Sequence, residues 1–143
     1  MPNNVTASAI TNAVYTLLSA VAELQQVKIG RDGDHDGGFP FCRVFLVGVE
    51  NPVEDTKSYL RKYRFLIEVI QETTAKSKRD AELDWQAACD AVLGTLQQNW
   101  QLGAAGVQNS VVEQSAVRTA EINGGPMVAM QITLAVETLH VVS

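Results

Sequence analysis

Apolar residues along this chain switch twice from a helical to an alternating spacing, and that order limits the folds open to it. Between Thr6 and Gln26 they recur at steps of three and four, which predicts an amphipathic helix capped by Thr6 or Ser8. Two alternating segments follow, Phe41 to Val49 and Lys57 to Glu72, and each predicts a strand. A break at Asn51-Pro52 separates them.

The second half of the chain repeats this order. Ser77 and Asp80 resemble a capping box that starts a second helix, and Gly103 is well placed to end it. The predicted buried stripe of this helix contains Trp85, Ala88, Cys89, Val92, Leu93, Leu96 and Trp100. Val107 to Ile122 predicts a bulged strand, and Asn123 to Pro126 predicts the turn of a hairpin before a cleanly alternating last strand.

These elements predict an α+β fold in one domain, residues 1–143. The expected form is a four-stranded, mainly antiparallel sheet with two helices packed on one face, in the order α-ββ-α-ββ. A strand of about sixteen residues spans roughly 53 Å, whereas a helix of about twenty-one residues spans roughly 31 Å. Strand ends that project past the helices leave uncovered edges, which favours association with another chain.

One face of the second predicted strand supports that expectation. Tyr63 and Phe65 point one way, and Arg64 and Glu68 point the other way. Two apolar residues, Leu66 and Ile70, interrupt this polar side, and the apolar Leu139, Val141 and Val142 lie near the C-terminus. Apolar residues at such places are either scattered surface residues or part of a contact with another chain.

Composition and net charge limit the kinds of partner that the chain can bind. The chain is 46% hydrophobic and 19% charged, which is ordinary for a globular protein. With a net charge of -5 it has no field that would attract it to nucleic acid or an anionic membrane. No stretch has the apolar length that a membrane span needs. Cys42 and Cys89 have no metal-binding spacing and are expected to be buried thiols.

Catalytic and metal-binding motifs give no support for an enzyme. Asp32, Asp34 and Asp36 match the opening of a calcium loop, but Arg43 stands where the closing glutamate should be. The chain has no nucleophile elbow, phosphate-binding loop or dinucleotide fingerprint. We therefore expect no enzyme activity, no cofactor and no metal, and we interpret the aspartate segment as an acidic loop.

The order of helix, strand pair, helix and strand pair covers nearly the whole chain and resembles the tail terminator (tail completion) proteins of tailed bacteriophages. The resemblance rests on the N-terminal helix, Ala7 to Leu24, and on YRFLIEVIQE leading into KRDAELDWQAACDAVLGTLQQNW, with a final hairpin ending TLAVETLHVV. It implies a structural virion protein that assembles in the host cytoplasm. In that role a homohexameric ring caps the tail tube, ends its polymerisation and joins the head connector or stopper protein.

Within such a ring, we expect a lateral interface and two axial loops. The candidate interface residues are Arg61, Arg64, Leu66, Glu68, Ile70, Arg118 and Glu121, with Arg61, Arg64 and Glu68 taken as one charged face. The candidate axial loops contain Asp32, Asp34, Asp36, Glu54 and Asp55. Two alternatives stay open: a head-closure or other neck ring protein, and a small monomeric ligand-binding or enzymatic α+β domain.

Overall fold

The computed structural model describes residues 5–31, 38–54, 58–72, 78–103, 106–122 and 125–141, without side chains for a few residues at strand and helix ends. Seven elements occur in these ranges: α1 (Ala7–Ser19), β1 (Gln26–Ile29), β2 (Phe41–Glu54), β3 (Ser58–Glu72), α2 (Lys78–Gln98), β4 (Val107–Ile122) and β5 (Gly125–Val141). The fold is mixed α+β with two helices, as predicted.

The predicted four-stranded sheet was wrong, because the sheet has five strands in the order β1-β2-β3-β5-β4. The additional strand, β1, pairs in parallel with the start of β2, from Gln26–Phe41 to Ile29–Val44. The element order is therefore α-β-ββ-α-ββ and not α-ββ-α-ββ. Four residues are too few to show an alternating pattern that sequence alone could recognise.

The first helix is shorter than predicted. Its start agrees, since the Ala9 N–H donates to Thr6 Oγ1 at 3.2 Å and Thr6 is the N-cap. However, α1 ends at Ser19, and Val21 and Leu24 lie in successive turns whose N–H groups donate to Leu18 and Val21. Val21 and Leu24 are still buried. The apolar spacing therefore predicted their burial correctly, but it was wrong in extending the helix to them.

The other four strands pair antiparallel. β2 continues to Glu54 across the predicted break at Pro52, which lies within a register shift between Glu50 and Val53. Another shift follows Leu46. The predicted bulge in β4 is confirmed by shifts between Val107 and Asn109 and between Val112 and Gln114. β3 and β5 pair without any shift from Ser58–Val141 to Glu72–Met127.

Both helices pack on one face of the sheet, as expected. The core joins Ile10, Val14 and Leu18 of α1 and Trp85, Val92 and Leu96 of α2 to sheet residues that include Val44, Phe65, Ile67, Ile132 and Leu134. Cys42 and Cys89 are free thiols in this core, which confirms their predicted burial. Burial raises the pKa of the Cys89 thiol to about 12 and raises that of Cys42 further.

The two tryptophans of α2 have different surroundings. Trp85 is buried, and its indole N–H donates to the Val69 carbonyl at 2.9 Å, which ties α2 to the central strand β3. Trp100 was predicted to be buried and is instead 49% exposed. α2 ends at Gln98, and buried Leu102, with a φ of 57°, takes the core position after it.

Replacing Trp85 with Phe should lower the free energy of unfolding by about 1–3 kcal/mol, because the Val69 carbonyl loses a buried partner. Trp100→Phe is the matched control and should change it by less than about 0.5 kcal/mol, as an exposed side chain does. Urea unfolding followed by circular dichroism measures both. Equal losses for the two variants would contradict this assignment of the core.

Candidate functional site

The helices leave one face of the sheet uncovered, and this helix-free face carries a buried polar network. The Glu68 carboxylate accepts from Arg43 Nε at 2.7 Å and from Gln131 Nε2 at 2.9 Å. Glu68 is only 5% exposed, so both carboxylate oxygens are satisfied where water is largely excluded. Because these residues lie on β2, β3 and β5, the network holds three adjacent strands in one register.

A second apolar cluster lies beside this network on the same face. Phe41 pairs with Ile70, Ile70 pairs with Ala129, and Met127 lies close by on β5. All four are buried, and Phe39 packs against them. The Phe39 and Phe41 rings are 5.7 Å apart at a tilt of 58°.

Arg31 extends the polar surface from the end of β1. It donates to the Leu46 carbonyl at 2.6 Å, and its guanidinium lies over the Phe45 ring, 4.8 Å from the centroid. Its own carbonyl accepts from Arg43 at 3.2 Å. Arg31 remains exposed, so its side chain offers a positive charge at this edge of the sheet.

A second charged cluster centres on Arg64, farther along the same face. Its guanidinium donates to Glu113 on β4 at 2.8 Å and also to Glu50 on β2. To reach Glu113 it passes over β5 at Ala135, which is paired with Arg64 and is too small to block the way. One side chain therefore ties together β2, β3 and β4.

This cluster shifts the pKa values of its members. Hydrogen bonds to Glu113 and Glu50 raise the pKa of Arg64, and the hydrogen bond from Arg64 lowers the pKa of Glu113. The Arg64 and Glu113 side chains are partly exposed to water, so salt weakens the interaction.

The expected grouping of Arg61 with Arg64 and Glu68 was wrong in its geometry. Arg61 lies on the helix side of the sheet, where its guanidinium approaches Tyr63 and donates to the phenol oxygen at 3.2 Å. Residues at odd and even positions of β3 face opposite ways, so Arg61 cannot share a face with Arg64. His140 is buried nearby with Thr138, and burial lowers the pKa of this imidazole.

The structure places the other candidate interface residues in different environments. Glu68 and Ile70 are buried within the chain, and Leu66 is half-buried on the helix-free face. Arg118 is exposed on β4, the strand at one edge of the sheet. Glu121 and Glu54 lie in β4 and β2, and their side chains are outside the described part of the chain. Whether any of these residues contacts another chain stays a prediction.

Several residues singled out from the sequence lie outside the described ranges. Asp32, Asp34 and Asp36 fall between 31 and 38, Asp55 follows β2, and Ser77 precedes α2. The comparison with a calcium loop and the axial role of these aspartates therefore stay predictions from the sequence. Within the described residues, no group of His, Cys, Asp and Glu is arranged to hold a metal ion. Neither helix in those ranges combines the length and the apolar character that a membrane span requires.

Sequence reasoning missed the residues that organise the helix-free face, Arg43, Gln131, Arg31 and Glu113. The signal for Arg43 was present, since this charged residue shares one face of a predicted strand with Phe41 and Phe45. Its partner could not be found, because strand order and register decide that Glu68 and Gln131 stand beside it.

No family model matches the chain, and no curated protein matches its sequence. One solved structure with a similar fold is the sheath/tube terminator of an extracellular contractile injection system in its extended state, seen by cryo-EM. The two share 12% identity with a TM-score of 0.56, and the alignment covers 99% of this chain and 58% of that chain. This chain therefore spans less than two thirds of that terminator, and the likeness is one of fold.

A second solved structure has a name that states no function. It matches 90% of this chain and 91% of its own length, with 12% identity and a TM-score of 0.48. That similarity is too low to support an argument.

The lowered pKa of Glu113 predicts how stability depends on pH. A carboxyl whose pKa is lower in the folded state stabilises the fold above its unfolded pKa, and this contribution is lost as pH falls through the folded pKa. The stability difference between the native chain and Glu113→Gln should therefore shrink on acidification. Urea unfolding at a series of pH values measures it, with Glu82→Gln on the exposed side of α2 as control. A difference that stays constant with pH would contradict the role of the Arg64 pair.

Proposed function

We propose that this chain is a tail-terminator subunit, which forms a homohexameric ring on the end of a tail tube, stops tube polymerisation and joins the head connector or stopper. The observation that carries the proposal is the fold similarity to a sheath/tube terminator along 99% of this chain. The resemblance in element order, noted from the sequence, points the same way. The proposal treats residues 1–143 as one tail-terminator-like domain of a virion protein.

The shape of the sheet suits a ring subunit. β4 has 16 residues and lies at one edge, while β1 has four residues and covers only the first part of β2 at the other edge. Long uncovered edges invite pairing with another chain unless charge or irregularity protects them. A closed ring needs two different lateral surfaces on each subunit, and the two edges supply two such surfaces.

The ends of the strands supply candidate axial surfaces. Residues 55–57 connect β2 to β3, and residues 73–77 connect β3 to α2, so these connections lie at opposite ends of β3. A terminator has to meet the tube on one side and the neck on the other. The proposal assigns Asp32, Asp34, Asp36 and Asp55 to such contacts, together with Glu54, which was expected in a loop and is the last residue of β2.

Particles assembled without this protein test the capping role. Because an uncapped tube continues to polymerise, we expect tails of abnormal length in negative-stain images. Heads without tails would instead support the head-closure alternative and overturn termination. A purified chain that sediments as a stable monomer at all concentrations, also in the presence of tube, would support the monomeric ligand-binding or enzymatic alternative.

Reversing the charge of Arg64 should weaken the ring. Arg64→Glu puts a third carboxylate beside Glu50 and Glu113 and removes the link among three strands. Arg64→Lys keeps the charge and is the matched control. Sedimentation velocity measures the ring fraction, and urea unfolding measures any loss of stability within the subunit. An unchanged sedimentation profile for Arg64→Glu would count against a role of this cluster in assembly.

A further inference from the structure

We infer that the β4 edge of one copy lies against the β1–β2 edge of the next copy, so that neighbouring sheets continue one another around the ring. The β1–β2 edge is defined by Ile29, Arg31, Val47 and Val49, and the β4 edge by Val111, Glu113, Ser115 and Val117. This inference rests on the proposed ring and specifies its lateral contact. The occupant of each edge is therefore a second copy of this chain.

Exposed apolar side chains gather at these two edges. Nine large hydrophobic residues are exposed in the described part of the chain, and five of them belong to the two edges: Ile29 at 50%, Val47 at 50%, Val49 at 47%, Val111 at 48% and Val117 at 62%. Burying them against another copy removes apolar surface from water, which favours association.

Residues that pair laterally from strand to strand form a row and lie at the same height along the strands. The exposed apolar residues of the two edges lie at matching heights in this sense. Val49 is in one row with Tyr63, Val136 and Ser110, and Val111 follows Ser110 on the helix-free face. In the same way, Ile29 is in one row with Val44, Ile67, Ile132 and Ser115, two residues from Val117. A closed ring has no rise along its axis, so equal heights on opposite edges meet when the strands run along that axis.

The two edges also carry opposite charges at one height. Arg31 bonds the carbonyl of Leu46, which shares a row with Phe65, Leu134 and Val112, and Glu113 follows Val112 in β4. Both charged groups are on the helix-free face, since Arg31 covers Phe45 and Glu113 bonds Arg64. An exposed cation on one edge thus stands at the height of an exposed anion on the other.

Strand direction permits pairing, and the second half of β4 is regular. Three antiparallel pairings separate β2 from β4, so these two strands run in opposite directions and neighbouring copies would present them antiparallel. From Gln114 to Ile122 the register of β4 with β5 has no shift. A regular edge of this kind offers its outward backbone groups to another strand.

A disulfide between the two edges tests the contact directly. Within one chain the edges are four strand spacings apart, about 19 Å, whereas a disulfide needs Cα atoms about 4.4–6.8 Å apart. A bond between Ile29→Cys and Ser115→Cys therefore reports only a contact between copies. The native thiols Cys42 and Cys89 are buried and remain in place.

The experiment pairs Ile29→Cys with a cysteine at Ser115, Val117 or Thr119, three exposed β4 residues on one face, because strand tilt in the ring would shift the register by such steps. Under mild oxidation one of these pairs should give a ladder of covalent oligomers on a non-reducing gel. Its yield should exceed that of the control pair, Ile29→Cys with Val111→Cys on the opposite face, by about a hundredfold, because contact raises the effective thiol concentration to the millimolar range.

A charge variant gives a second readout. Arg31→Glu should lower the ring fraction in sedimentation velocity at low salt, and the effect should decrease as salt is added. The matched control is Arg79→Glu, which makes the same charge change on the exposed side of α2. Circular dichroism checks that each variant is folded.

The outcomes separate this inference from the proposed function. A ring by sedimentation with no ladder from any of the three pairs would overturn the edge contact and leave tail termination standing. A ladder from a ring that fails to stop tube growth would overturn termination and leave the edge contact standing. A chain that neither sediments as a ring nor forms a ladder would overturn both.

Discussion

The uninterrupted pairing of β3 with β5 sets the alignment of the whole sheet. From Ser58–Val141 to Glu72–Met127 the two strands stay in register, and every shift occurs in β2 or β4 on either side. An intact central pair fixes which side chains face the helices and which face away. Ile67 and Ile132 therefore share one core with both helices, while Glu68 and Gln131 meet on the other face.

Two polar clusters stabilise the helix-free face, and each one links side chains on different strands. Glu68 is buried and satisfied by neighbours on the strands beside it. Arg64 is more exposed and reaches over Ala135 to the bulge residue Glu113. A sheet that satisfies its own polar groups in this way can leave one face without helices, because the buried groups do not depend on water.

The two edges of the sheet are the surfaces proposed to contact neighbouring copies. The helices cover the central strands, whereas Val49, Val111 and Val117 stay exposed where strands lack neighbours. Proteins that do not associate usually protect such edges with charge or irregularity. The proposed lateral contact uses opposite edges, so that each copy completes the next.

Apolar spacing and turn residues are local signals, so they predicted the two helices, four of the five strands, the β4 bulge and most of the core from the sequence alone. The sequence left both Thr6 and Ser8 open as the cap of α1, and the structure identifies Thr6. It did not determine β1, which has four residues, or the exposure of Trp100, which follows the last turn of α2. The opposite facing of Arg61 and Arg64 and the network of Arg43, Glu68 and Gln131 became visible only in the folded sheet. Such contacts depend on strand order and register, because residues far apart in the chain become neighbours only when the sheet assembles.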